Sequence, residues 1–257
     1  TWAGFEGLPT DFRVTAYVDL LPDSAMSAWR IRVDGIAGTL IRKVTFPRIA
    51  GLKDLGEEEL AVPDWMGALL KSPRAVLTPG GGGFAWEYPG HMSMQFITLY
   101  NPHDAGIYLA SDDSLAYSKT FTLSVDSTGM LVYGVDNYPP YEQQLTSYEP
   151  PYAFLIGGFQ GDWLTAAQLY KRWAEQQHWC RDSRLANGKV PDWVENTSYW
   201  VWNRGRAANV LPPATALGKR LNSRVSVLWH WWHGGSYDDS FPEYFPPRDG
   251  NEGFKTA

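Results

Sequence analysis

A single cysteine, Cys180, in 257 residues excludes an internal disulfide framework and a cysteine-based zinc site. Charge is sparse as well. Asp, Glu, Lys and Arg make up 19% of the chain, below the roughly 25% usual for globular domains. With 22 basic against 28 acidic residues the net charge is −6, so there is no basic footprint for nucleic acid or anionic lipid. No uninterrupted apolar run approaches the roughly 18 residues that a membrane-spanning helix needs. Disorder is excluded from the other side, because 44% of the residues are hydrophobic and can offset the entropy of ordering the backbone. The glycine-rich stretch Pro79-Gly80-Gly81-Gly82-Gly83 lacks the Gly-Lys-Ser/Thr ending of a phosphate loop and reads as a flexible connection.

Aromatic residues are what the chain has in excess: 13 Trp, 14 Tyr and 11 Phe. Trp packs cores, but it also stacks on flat ligands and carries an N–H for a polar partner. An aromatic core accounts for most of these residues. It does not account for the crowding of nine of the 13 Trp between Trp163 and Trp232.

Residues 1–160 read as an antiparallel, supersandwich-like β-sandwich. Arg13 to Leu20 and Ala28 to Val33 alternate apolar with polar residues, as half-buried strands do, and Leu21-Pro22-Asp23-Ser24 between them has turn chemistry. Further strand-like runs are Gly38 to Phe46, Met92 to Tyr100, Gly106 to Ala110, Lys119 to Val125 and Tyr152 to Gly157. Asn-Pro, Asp-Asp-Ser, Asp-Ser-Thr-Gly and Tyr-Pro-Pro segments separate them. Many short strands with turns and no helical period suggest a sandwich.

At Gly161 the period changes. Trp163, Ala166, Ala167, Tyr170, Trp173, Ala174 and Gln177 fall on one face of a helix from about Asp162 to His178, with Asp162 placed as its N-cap. Residues 161–190 are thus a connecting helix and polar linker. Residues 191–257 then read β-α-β: a strand Thr197 to Trp202, a short helix Pro213 to Leu221 with Pro near its first turn, and a strand Arg224 to Trp231. The second strand is apolar enough for a parallel sheet buried on both faces, which suggests the opening of a (β/α) barrel. The chain stops at Gly253-Phe254-Lys255-Thr256-Ala257, like the first turn of an unfinished helix, so a piece of a longer protein is expected.

Both of these strands end in residues that could carry chemistry. The first runs Trp200-Val201-Trp202-Asn203-Arg204, and the second runs Trp229-His230-Trp231-Trp232-His233 and on to Asp238-Asp239. In a parallel barrel the C-terminal strand ends form the active face. Indole rings there can stack on the C–H faces of a pyranose, while Asn and Asp take its hydroxyls. Trp202, Asn203, Trp229, Trp231, His233, Asp238 and Asp239 are therefore the candidate substrate-binding residues. His230 and His233 are a poor metal pair, because residues three apart on a strand point to opposite faces. Neither a metal nor a cofactor is expected. Gly234-Gly235-Ser236-Tyr237-Asp238 is not a nucleophile elbow.

Gly161-Asp162-Trp163 through Tyr170-Lys171-Arg172-Trp173-Ala174, Pro191-Asp192-Trp193, and Trp229-His230-Trp231 with Asp238 and Phe241-Pro242-Glu243-Tyr244-Phe245-Pro246 carry a resemblance. Together with the order sandwich, helix, barrel entry, they resemble bacterial glycoside-hydrolase-like proteins in which a mutarotase-like β-sandwich precedes a (β/α)8 barrel. Endo-α-N-acetylgalactosaminidase and α-galactosidase-type enzymes belong to that broad group. The resemblance implies hydrolysis of O-glycosidic bonds with retention, by a carboxylate nucleophile and an acid/base. It implies that those two groups sit on middle barrel strands that this chain does not reach, so no catalytic residue is assigned. It also places Asp238 and Asp239 with acidic residues that bind sugar hydroxyls.

Two alternatives stay open: a non-catalytic carbohydrate-binding β-sandwich module, and a structural domain whose Trp residues are all core. Unpaired strand edges in a two-strand remnant would invite self-association, or docking of residues 190–257 on the sandwich or on a missing barrel segment.

Overall fold

The expected alternating strands are present and pair antiparallel in the computed structural model, which describes residues 1–77, 82–141, 144–204 and 207–230, with backbone only at 203, 204 and 230. The chain divides into two compact units between Arg181 and Asp182.

In the first unit the order is β1 (Trp2–Ala3), β2 (Arg13–Leu20), β3 (Met26–Asp34), β4 (Val44–Leu52), β5 (Glu59–Val62), β6 (Ala68–Lys71), α1 (Pro73–Val76), β7 (Phe84–Tyr88), β8 (Phe96–Tyr100), β9 (Ala105–Ser111), β10 (Lys119–Val125), β11 (Leu131–Asn137), β12 (Ser147–Tyr148), β13 (Phe154–Gln160), α2 (Trp163–Ala174) and α3 (His178–Arg181). One sheet has the strand order β1-β2-β3-β13-β9-β8-β5-β6, with β12 also on β3, and a second sheet has the order β4-β11-β10-β7. Ile31, Leu60, Ile97, Leu109 and Phe154 of the large sheet meet Phe121, Leu123, Tyr133 and Val135 of the small one in a shared core. This is a β-sandwich.

The large sheet buries its other face too. Phe96, Tyr100, Tyr108 and Phe159 pack there against Ala166 and Tyr170 of α2. That double cover explains why all five residues of β8 are buried and why its sequence does not alternate. Gly106 sits in this layer by necessity, since a Cβ on it would lie 2.4 Å from the Tyr100 Cβ and 2.7 Å from the Phe159 ring. The helix expected as a connector is thus built into the first unit. Asp162 caps it as expected, accepting from the backbone N–H groups of Leu164 and Thr165.

Several boundaries differ from expectation. Residues 38–43 are not strand, because Gly38 takes a φ of +73° beside a turn closed by the Thr39 N–H on the Ile36 carbonyl. Helix α2 stops at Ala174 instead of His178, where the N–H groups of Gln176 and Gln177 turn back to the carbonyls three residues earlier. Strands β5, β6, β7 and β11 were not anticipated. β11 is buried along its whole length between β4 and β10, and it ends in Asp136 and Asn137, which alternation does not flag.

The second unit contains α4 (Asp192–Glu195), β14 (Thr197–Arg204), α5 (Ala207–Leu221) and β15 (Arg224–His230). β14 and β15 pair in parallel, joined through α5, so the described residues hold one β-α-β unit and no closed barrel. Helix α5 begins well before Pro213 and carries Pro212 and Pro213 in its interior. Val210, 1% exposed, gives its early turns a buried anchor, and that packing outweighs the two missing backbone donors.

Candidate functional site

Strand register decides which of the candidate residues meet. Trp202 lies beside Leu228, and Asn203 lies beside Trp229, at the C-terminal ends of β14 and β15. Laterally paired residues in a sheet share a face, and successive residues alternate. Trp200, Trp202, Ser226 and Leu228 therefore occupy one face, whereas Val201, Val225, Val227 and Trp229 occupy the other. Helix α5 covers the second face: a Cβ at Gly218 would lie 3.6 Å from Val225 Cγ2. The expected cleft containing both Trp202 and Trp229 is thus corrected. The period of two sends these indoles to opposite sides, and Trp229 belongs to the strand–helix layer.

Among the described residues the first face is aromatic, and α5 leaves it open. Trp202 is 73% exposed and Leu228 55% exposed, with Trp200 also exposed. Trp193 of α4 meets Trp200 at a ring-centroid distance of 6.5 Å, and the Trp193 carbonyl accepts from the Thr197 hydroxyl. Such a face offers flat apolar surface to a C–H-rich ligand. Trp231, His233, Asp238 and Asp239 lie outside the described residues. The carboxylates described in this unit, Asp182, Asp192 and Glu195, all precede β14.

Among the described residues the sandwich holds a buried ion pair with perturbed electrostatics, where the sequence shows only a turn. Lys119 is fully buried, and its Nζ donates to Asp113 Oδ2 at 2.6 Å, the Tyr117 carbonyl at 2.7 Å and Gln95 Oε1 at 3.0 Å. The ammonium also lies 4.5 Å from the Tyr152 ring centre and 4.9 Å from that of Tyr88. Burial pulls it down to about 8, against the opposing hydrogen bond and charge of Asp113. Asp113 also accepts from the backbone N–H groups of Leu115 and Tyr117, so it closes the expected Asp-Asp-Ser turn and holds a buried cation as well. Its neighbour Asp112 is lifted by desolvation to about 6. With every Lys119 donor occupied, this pair is built to position its surroundings.

Comparison with known proteins fits this architecture. A family described as "Domain of unknown function (DUF6259)" matches residues 148–257. A Bacteroides thetaiotaomicron protein named "Putative glycoside hydrolase" is 23% identical over 92% of this chain and 34% of its own length. A Monosiga brevicollis protein, "Putative glycoside hydrolase 22789", is 26% identical over 96% of this chain and 23% of its own. The chain therefore spans about a third or less of these relatives. Among solved structures, the α-N-acetylgalactosaminidase NagBb of Bifidobacterium bifidum superposes with a TM-score of 0.56 at 11% identity, covering 91% of this chain and 46% of that one. A second structure of that protein, a complex with GalNAc, gives 0.51 at 10% identity. The chain is related to proteins named as glycoside hydrolases, and it shares its fold with part of a glycosidase.

Proposed function

We propose that this chain is the sandwich and barrel entry of a glycoside hydrolase that cleaves O-glycosidic bonds of a carbohydrate. The carrying observation is similarity over more than nine-tenths of the chain to two proteins named as glycoside hydrolases. On this reading β14 and β15 are the first two strands of a (β/α)8 barrel, and the face bearing Trp200, Trp202 and Leu228 is its interior. Trp202 stacks on a sugar ring at the open end. Trp231, His233, Asp238 and Asp239, just beyond the same strand ends, supply further contacts to the ring and its hydroxyls. Trp229 packs behind the strand and holds it in register. Hydrolysis with retention would draw its nucleophile and acid/base from later strands.

The test is hydrolysis of 4-nitrophenyl α- and β-glycosides, N-acetylgalactosaminides included, by the chain together with its flanking sequence. Turnover is expected on one anomeric series, with the first-formed sugar keeping its configuration by NMR. Trp202→Ala should weaken sugar affinity by roughly 5- to 150-fold, the equivalent of about 1–3 kcal/mol. No turnover on any glycoside, together with unchanged affinity in that variant, would overturn the reading.

A further inference from the structure

The sandwich has a cleft of about 300 Å³ that the barrel reading does not use, walled by Tyr117, Tyr138, Tyr148 and Tyr152 with Ser147 and Glu149 at its edge. Its walls are fixed from behind. The Tyr152 hydroxyl donates to Asn137 Oδ1 at 2.8 Å, and the Asn137 amide donates to the carbonyls of Val44, Phe46 and Val135. Tyr138 shares a 2.8 Å hydrogen bond with the Thr120 hydroxyl. Tyr117 is tied through its N–H to Asp113 and through its carbonyl to Lys119, and its ring lies 6.0 Å from that of Tyr152. The buried ion pair thus braces two walls of the cleft. Tyr117 and Tyr138 nevertheless keep nearly half of their surface exposed. An adjoining recess shares Glu149, Pro151 and Tyr152 and adds Arg30, so the concavity continues as a groove.

Charge selects among the ligands that aromatic walls could take. Quaternary ammonium groups favour such rings, but Tyr152 already has the Lys119 ammonium 4.5 Å from its centre, and Tyr88 has it at 4.9 Å. Anions meet the Glu149 carboxylate on the cleft wall, and the nearby Arg32 guanidinium is already engaged by Glu149 at 3.4 Å and by Asp34 at 2.9 Å. What remains favourable is an uncharged molecule with C–H faces for the tyrosines and hydroxyls for Ser147 and Glu149. We infer that this groove is a carbohydrate-binding site of the sandwich for neutral oligosaccharides, separate from the strand ends of the second unit. The inference stands on the cleft's own residues and does not rest on the proposed hydrolysis.

The experiment titrates the 257-residue chain with neutral di- to tetrasaccharides of glucose, galactose, mannose, xylose and N-acetylhexosamines, following ligand signals by saturation-transfer NMR. Choline and glucuronate serve as the cationic and anionic probes. At least one neutral oligosaccharide should bind, and both charged probes should not. Tyr138→Ala should weaken that binding by roughly 3- to 10-fold, as for loss of one aromatic stacking partner. Glu149→Gln, an exposed and nearly isosteric change, should weaken it as well at the wild-type unfolding midpoint, whereas Tyr138→Ala, which also loses the Thr120 hydrogen bond, should unfold somewhat earlier yet stay folded under assay conditions. Trp202→Ala should leave this binding unchanged. The inference is overturned if no neutral probe binds, if choline or glucuronate is preferred, or if Glu149→Gln and a folded Tyr138 variant bind as the wild type does. Loss of binding in Trp202→Ala alone would assign the sugar to the second unit and likewise overturn it.

Discussion

The first unit covers both faces of its large sheet, one with the small sheet and the other with α2, whereas the second covers one face of its two strands with α5. The same residue type therefore means different things in the two units. Trp86 is buried in the sandwich core, with Trp29 partly buried against it, while Trp200 and Trp202 stand exposed on the face that α5 does not cover. Polar groups follow the same division. The sandwich buries Lys119, Asp113, Gln95 and Asn137 with their partners in place, and partnered groups of this kind hold a fold in one arrangement. A crowd of indoles in the sequence is not itself evidence of a core or of a site. Coverage of the sheet decides which it is.

The largest effect expected from breaking this contrast is in the buried pair. Asp113→Ala leaves the Lys119 ammonium without its counter-charge and should cost the first unit about 3–5 kcal/mol in urea unfolding at pH 7. The sign with pH is defined. Lys119 sits at about 8 in the folded chain against 10.5 unfolded, so between those values the unfolded state holds more protons and stability from this group rises with pH. Removing Asp113 removes the opposing pull, so the variant should recover part of its loss when measured at pH 9. An equal loss at pH 7 and pH 9 would show that the ammonium is not what is left uncompensated.

Asp112 gives the next largest effect, with the opposite sign. Its carboxyl moves from 3.8 to about 6, so the folded state keeps a proton that the unfolded state has lost. That contribution is fully present below pH 3.8 and is lost as pH rises through 6, at most roughly 3 kcal/mol. Asp112→Asn should therefore stabilise the first unit at pH 7 and be neutral near pH 3.5. Thermal unfolding at both values checks it, and destabilisation at pH 7 would mean that the carboxylate makes a contact the amide cannot.

How much of this was legible in the sequence follows from coverage too. β2 and β10 lie where they were expected, at Arg13–Leu20 and Lys119–Val125. β11 and the short strands β5 and β6 were missed, because a fully buried strand does not alternate and a four-residue strand gives little period to detect. Asp162 was legible because an N-cap is a local device. The Lys119–Asp113 pair was not, although six residues separate its members, since nothing in the spacing shows that both side chains turn inward. The candidate site failed in one particular: strand ends can be read from sequence, but the register that separates Trp202 from Trp229 cannot.

The N-cap offers a smaller test within the first unit. Asp162→Ala removes the acceptor for the Leu164 and Thr165 N–H groups and should cost about 1 kcal/mol. Because α2 covers the outer face of the large sheet, the loss should also speed amide exchange in β8 and β9. Exchange confined to α2 would mean that the helix frays without uncovering the sheet.

The smallest effect expected is at Leu228 in the second unit, and it is sharpest for the contrast when set against Val210. Val210 and Leu228 are both aliphatic residues of one β-α-β unit, yet Val210 is 1% exposed and Leu228 is 55% exposed. Val210→Ala removes buried apolar contact and should cost on the order of 1–2 kcal/mol. Leu228→Ser removes surface that water already reaches, so its cost should stay within about 0.5 kcal/mol. The same serine makes the open face less adhesive, because exposed apolar patches drive association. Sedimentation velocity should therefore show less self-association for Leu228→Ser than for the wild type, at nearly unchanged urea midpoint. A loss for Leu228→Ser as large as that for Val210→Ala would mean that the face is covered in solution, and the contrast between a closed unit and an open one would fall.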